Sequence, residues 1–224
     1  MGMFESPMTM TRGGAVAPCS DAALRAIAAE FDRCHCVRVP RLVDSDLLSE
    51  LQERVERSAF VERVHEGIDA NSELCLVDDA VCGLLQFLFN GRELFRFVQS
   101  ISGCGRIGCF AGRVYRVVPG AGHHDAWHDD LGEDRMIAMS VNLGGEYQGG
   151  ILQIRERDSR RICHEVANTG PGDAIVFRLD PQLQHRITDV EGTTAKTAYA
   201  GWFRSQPDYA AVVNQKIAVS STGA

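Results

Sequence analysis

The strongest constraint in this chain is a change of texture at about residue 106. Beyond it, short runs rich in β-branched and aromatic residues follow one another, each closed by Gly, Pro or Asp. The runs are 113–118, 136–143, 151–155, 161–166, 174–179, 185–190 and 195–203. No helical period separates them. Consecutive strands without crossover helices pair antiparallel, so the stretch predicts a sandwich or barrel.

The first hundred residues have a different period. Leu24, Ile27, Ala28 and Phe31 fall on one helix face, with Ser20 or Asp21 as the N-cap. Leu47, Leu48, Leu51 and Val55 form a second apolar stripe after Asp44, with Glu50, Glu53 and Arg54 on its wet side. A third apolar stretch, 81–101, is interrupted by Asn90-Gly91, a strong turn signal. The expected architecture is α+β, a mostly helical front half packed on one face of a β sandwich. The expected divisions are a flexible tail at 1–20, a helical support region at 21–105, the β core at 106–206 and a C-terminal tail at 207–224.

Composition narrows the class. The chain has 224 residues, 45% hydrophobic and 24% charged, which is ordinary for one globular domain. A net charge of -7 argues against a nucleic-acid partner, because binding through phosphates needs a basic surplus. No apolar run is long enough to span a bilayer, so no membrane partner is expected. Eight cysteines and no secretory pattern at Met1–Met10 lead to the expectation of reduced thiols in a cytoplasmic protein. Cys34-His35-Cys36 invites a metal, but so short a stretch cannot easily close a tetrahedron and no second pair follows.

The histidines carry the chemistry. In His128-Asp129-Asp130 an imidazole and a carboxylate stand two apart, and on extended backbone they share a face. His185 lies on a later predicted strand and can complete a two-histidine, one-carboxylate set. Such a facial triad suits Fe(II) and leaves positions open for oxygen chemistry. His123-His124-Asp125 supplies a second His-x-Asp pair, and the pattern alone is weak. His123 and His124 could also serve a substrate or be exposed loop residues; His35, His65 and His164 fit no pattern.

The surroundings raise the signal. Val118-Pro119-Gly120 precedes His128-Asp129-Asp130, and Arg135 opens the next strand. Gly149-Gly150-Ile151-Leu152 follows, then Pro171-Gly172-Asp173-Ala174-Ile175-Val176-Phe177 leading towards His185, and Lys196 with Trp202-Phe203 on the closing strand. In this order the motifs resemble the 2-oxoglutarate- and Fe(II)-dependent oxygenase superfamily, in its prolyl-hydroxylase-like branch. The resemblance covers Tyr115 to Phe203.

It implies a double-stranded β-helix (jelly-roll) core and the later His-x-Asp pair, so that His128, Asp130 and His185 would be both metal ligands and catalytic centre. It implies Fe(II) and O2 as reactants, 2-oxoglutarate as cosubstrate, and ascorbate as an accessory reductant. Lys196, 11 residues past His185, would pair with the far carboxylate of 2-oxoglutarate. The chain has only two lysines, Lys196 and Lys216, against 21 arginines, so a lysine here is a choice. Asp130 favours hydroxylation over halogenation, since related halogenases carry a small residue at that place. A dioxygenase (hydroxylase) is therefore expected, oxidising a peptidyl, amino-acid or small natural-product substrate and releasing succinate and CO2. Trp202 is expected to be core packing. The alternative is a non-catalytic, cupin-like jelly roll that binds a metal or ligand; a nucleic-acid demethylase of the superfamily conflicts with the charge.

Overall fold

The computed structural model describes residues 6–17, 19–64, 72–123, 125–132, 134–168 and 170–211. His65, His124 and residues 212–224 lie outside them. In chain order the described chain begins with β1 (Thr9–Thr11) and β2 (Gly14–Val16), then α1 (Asp21–Cys34), β3 (Cys36–Val39), α2 (Ser45–Arg57), β4 (Ala59–Val64) and β5 (Ser72–Val77). Two further helices follow, α3 (Asp79–Phe89) and α4 (Arg92–Ser102), and then β6 (Cys109–Val117), β7 (Arg135–Asn142), β8 (Gln148–Gly149) and β9 (Leu152–Glu156). The chain continues with β10 (Ile162–Val166), β11 (Ala174–Arg178), β12 (Leu183–Ile187), β13 (Val190–Glu191) and β14 (Lys196–Arg204).

Local chemistry sets the helix ends. The Ser20 hydroxyl accepts the Ala23 N–H and the Asp44 carboxylate accepts that of Leu47, each meeting an otherwise orphaned donor. Asp78 does the same for Ala80 and Val81. The Asn90-Gly91 break falls between α3 and α4, as its turn chemistry predicts. There the Asn90 amide exchanges bonds with the Phe110 backbone, at 2.8 and 3.0 Å, and ties the turn to β6.

The strands make a large antiparallel sheet in the order β3-β11-β7-β14-β6-β5-β4, faced by a smaller one, β10-β9-β12. Alternation splits the large sheet into two faces. Ile137, Met139, Val141, Val176, Tyr199 and Phe203 share one core with Phe31, Leu51, Leu85, Phe89 and Val98 of the helices. Ala138, Ile175 and Phe177 share the other with Leu152, Ile154 and Leu183 of the small sheet, and Cys34 and Cys36 are buried there. Burial pushes the Cys36 thiol up to about 12, which suits a packing residue and not a ligand. All eight cysteines are free.

Two glycine sites explain part of the motif pattern. At the Gly201–Gly112 pair, a Cβ on Gly201 would come within 2.0 Å of the Ala111 carbonyl oxygen. Gly149 and Gly150 both have positive φ, and a Cβ on Gly149 would meet the Asp189 carbonyl at 2.2 Å.

The front half departs from the expectation in two respects. It is not only helical: β3 pairs with β11, and β5 pairs with β6, so this region completes the large sheet. Residues 9–16 form a hairpin within the expected tail, and Met8 and Met10 are buried. Met10 is fixed to the segment before α2, donating to Leu42 and accepting from Asp44. A two-residue apolar period among Thr and Gly is too short to stand out from a loop in sequence. At the other end, Tyr209 donates to the Gly108 carbonyl at 2.9 Å and Asp208 pairs with Arg106. No helix among the described residues is long and apolar enough to cross a membrane.

Candidate active site

His185 lies at the centre of β12, where alternation turns Leu183, His185 and Ile187 inward; it is 5% exposed. His128 belongs to no strand. Its backbone pairs with that of His185 in an isolated bridge, with N···O distances of 3.0 and 2.8 Å, and the ring centroids lie 4.3 Å apart. Extended backbone does not continue to Asp130, which has φ +55°. Asp tolerates this left-handed region, and the Asp129 carboxylate supports the turn by accepting the Leu131 N–H at 3.1 Å. The turn swings the Asp130 carboxylate towards both rings.

One carboxylate oxygen serves both. Oδ2 of Asp130 lies 3.5 Å from Nε2 of His128 and 3.4 Å from Nε2 of His185. The three ligand atoms are within 4.8 Å of one another, the only such cluster of three or more among the described residues. Ligands at right angles on a divalent ion with bonds of about 2.1 Å stand about 3 Å apart, so small side-chain shifts would close this set on a metal. Two imidazoles and one carboxylate are the donor set that suits Fe(II).

The electrostatics agree with a cation site. Burial opposes charge on His128, yet hydrogen bonding to Asp130 and the Asp125 carboxylate raise its pKa to about 9. Burial would raise Asp130 too, but the bonds from His128 and His185 hold it far below the usual carboxylate range.

Around the triad lies a cavity of about 560 Å³, lined among others by Arg63, Glu73, Arg113, Tyr115, Arg135 and Trp202. Trp202 is more than packing: its indole N–H donates to Asp130 Oδ2 at 3.0 Å. The Arg135 guanidinium stacks on that indole, 3.7 Å from the centroid, and donates to the Asp130 carbonyl at 3.2 Å. Sequence reading passed over Trp202 because a large aromatic on a closing strand is most simply core. The Ser140 hydroxyl also lines the cavity, buried and with no partner among the described residues.

Lys196 alternates onto the same face of β14 as Ala200 and Trp202 and is 2% exposed. Its ammonium lies 5.7 Å from the Tyr115 centroid and 5.8 Å from that of Tyr147. Burial opposes its charge; the two tyrosines, with a hydrogen bond to Tyr115, outweigh burial and raise its pKa. Lys196 makes no ion pair with a carboxylate among the described residues and is not itself part of the cavity wall, whereas Tyr115 beside it is. A buried cation beside Tyr115, a residue of the cavity wall, fits an anionic cosubstrate.

The competing pair is used otherwise. His123 Nδ1 accepts the Val118 N–H at 3.0 Å, and Asp125 accepts the Ile187 N–H at 2.8 Å. Both line the cavity without joining the ligand cluster. The turn at 156–160 does not line the cavity; β4 and β5 do, through Arg63, Ser72 and Glu73.

Residues 112–204 match the 2OG-Fe(II) oxygenase superfamily. No curated protein sequence matches the chain significantly. Among solved structures, the chain resembles an oxidoreductase of the 2OG-Fe(II) oxygenase family from Burkholderia pseudomallei, with TM-score 0.64 and 14% identity over 88% of this chain and 96% of that one. It also resembles a prolyl-4-hydroxylase from Pseudomonas putida, with TM-score 0.59 and 18% identity over 82% and 100% of the two chains. A third is the non-haem α-ketoglutarate-dependent epimerase SnoN from nogalamycin biosynthesis, at TM-score 0.59 and 15% identity over 81% and 83%. The double-stranded β-helix is common to these neighbours. The family match thus falls on the β core, residues 112–204, and the superfamily it names takes Fe(II) and 2-oxoglutarate as cofactors.

Proposed function

We propose that the protein is an Fe(II)- and 2-oxoglutarate-dependent dioxygenase that hydroxylates an unactivated C–H bond. The observation that carries this reading is the convergence of both Nε2 atoms on Asp130 Oδ2 inside a cavity. His128, Asp130 and His185 hold the iron, and Lys196 with Tyr115 holds the distal carboxylate of 2-oxoglutarate. Bound together, iron and 2-oxoglutarate supply oxidative decarboxylation to succinate and CO2, which drives oxidation of the substrate. The chain does the rest: Trp202 fixes the carboxylate oxygen, and the buried β14 face keeps water from the cosubstrate.

The substrate is a peptidyl residue, an amino acid or a small natural product. Two kinds of neighbour support that range, a prolyl-4-hydroxylase and the nogalamycin epimerase. Carboxylate and guanidinium side by side, Glu73 and Arg113 at 2.7 Å, give the wall a polar face suited to such substrates. A non-catalytic jelly roll would leave Lys196 buried without purpose. The test is conversion of 2-oxoglutarate to succinate with Fe(II) and a panel of prolyl peptides, amino acids and polycyclic scaffolds. Iron-dependent succinate, lost in Asp130→Asn, supports the reading; folded, iron-loaded protein that forms none contradicts it.

A further inference from the structure

We propose that Trp127, held by Arg155 and Arg186 on the outer face of the small sheet, is a positioning residue for the metal ligands. The inference rests on the metal-site reading above.

The small sheet has two faces with different work. Inward, β9 and β12 place Ile154 and His185; outward, they place Gln153, Arg155, Gln184 and Arg186. The register sets Arg155 opposite Gln184 and Arg186 opposite Gln153. Each glutamine oxygen fixes the guanidinium across from it: Arg155 donates to Gln184 at 3.0 and 2.7 Å, and Arg186 to Gln153 at 2.7 Å. Both guanidinium carbons then lie against the Trp127 indole, 4.1 and 4.8 Å from its centroid. Two cations this close repel, and the electron-rich ring face offsets part of that cost. Three side chains thus need one another.

The location gives the cluster its use. Trp127 immediately precedes His128, whose backbone is joined to the sheet by its bridge to His185. On the other side of His128, the Asp129 carboxylate is paired with Arg157. Arg157 is itself fixed, donating through its side chain to the Pro181 carbonyl at 2.7 Å and through its backbone to the Gln182 carbonyl at 2.8 Å. Both neighbours of the ligand are therefore tied to arginines at the outer side of the small sheet, and His128 turns inward between them. Ligands outside regular structure need such support, since the set must be held before the metal arrives.

The experiment measures Mn(II) affinity, and the ligand-field spectrum of the Co(II) form, in the parent, Trp127→Ala, Trp127→Phe and the double variant Arg155→Gln with Arg186→Gln. Far-UV circular dichroism and melting of the metal-free proteins accompany it. Trp127→Ala is expected to bind Mn(II) about tenfold or more weakly, in the range usual for lost support of metal ligands. Its Co(II) spectrum should shift, Trp127→Phe should recover part of the affinity, and the double variant should weaken binding while keeping the indole. Parent-like affinity and spectrum in Trp127→Ala and the double variant would overturn the proposal. If the parent itself takes up no Mn(II), the metal-site reading falls first and this inference with it.

Discussion

The indole N–H of Trp202 donates at 3.0 Å to Asp130 Oδ2, the oxygen that also faces both histidine rings. A carboxylate oxygen has two lone-pair directions, so the indole occupies one and leaves the other for an ion. Trp202→Phe keeps an aromatic surface under Arg135 but removes the donor. Metal affinity should fall by about tenfold to a hundredfold, with the fold intact, as read by Mn(II) titration beside a melting curve.

Asp130 sits at φ +55°, where Asn is tolerated almost as well as Asp. Asp130→Asn should therefore keep the parent backbone while losing metal binding, because an amide cannot supply the charge, and it should melt somewhat lower without its pairing to His128. Asp130→Ala should show the same loss with an added destabilisation on the order of 1 kcal/mol from the strained backbone. Denaturant melts of the two variants separate these effects.

Much of this was legible in the residues because it depends on short-range chemistry. The caps at Ser20 and Asp44, the break at Asn90-Gly91 and the β-rich runs after residue 106 all fall where local rules put them. His128 and Asp130 were readable as a pair, although their geometry is a turn and not extended backbone. What stayed hidden depends on pairing over long distances. Nothing local says that Cys36–Val39 borders β11, or that Tyr147, far from Lys196 in sequence, comes beside its ammonium. The role of Trp202 was hidden for the same reason, since its partner is 72 residues away.

Lys196 is buried and makes no ion pair with a carboxylate among the described residues; Tyr115 and Tyr147 hold its charge in place for an anionic ligand. Lys196→Met should weaken 2-oxoglutarate binding by roughly a hundredfold or more, the scale of about 3–5 kcal/mol for breaking a buried pair. Mn(II) binding should be unchanged. Isothermal titration with 2-oxoglutarate in the presence of Mn(II) checks both, and an unaltered 2-oxoglutarate affinity would move the anchor to another cation such as Arg113.

Proton and metal compete at His128. Its pKa in the metal-free fold is raised from 6.5 to about 9, so its stabilising pairing with Asp130 is fully present below about 6.5 and lost as pH rises through about 9. Stability of the metal-free protein should accordingly decline across that window, while Mn(II) affinity rises across it as the proton leaves. Urea unfolding at a series of pH values, with and without Mn(II), should show the decline only in the metal-free series.

The most direct measurement is an anaerobic titration of the protein with Fe(II) and then 2-oxoglutarate, followed by visible absorption. A weak charge-transfer band is predicted, saturating at one iron per chain, absent in Asp130→Asn and needing far more 2-oxoglutarate in Lys196→Met. Folded parent protein that develops no band, or a band that survives intact in Asp130→Asn, would contradict the assignment of His128, Asp130 and His185 as the iron site.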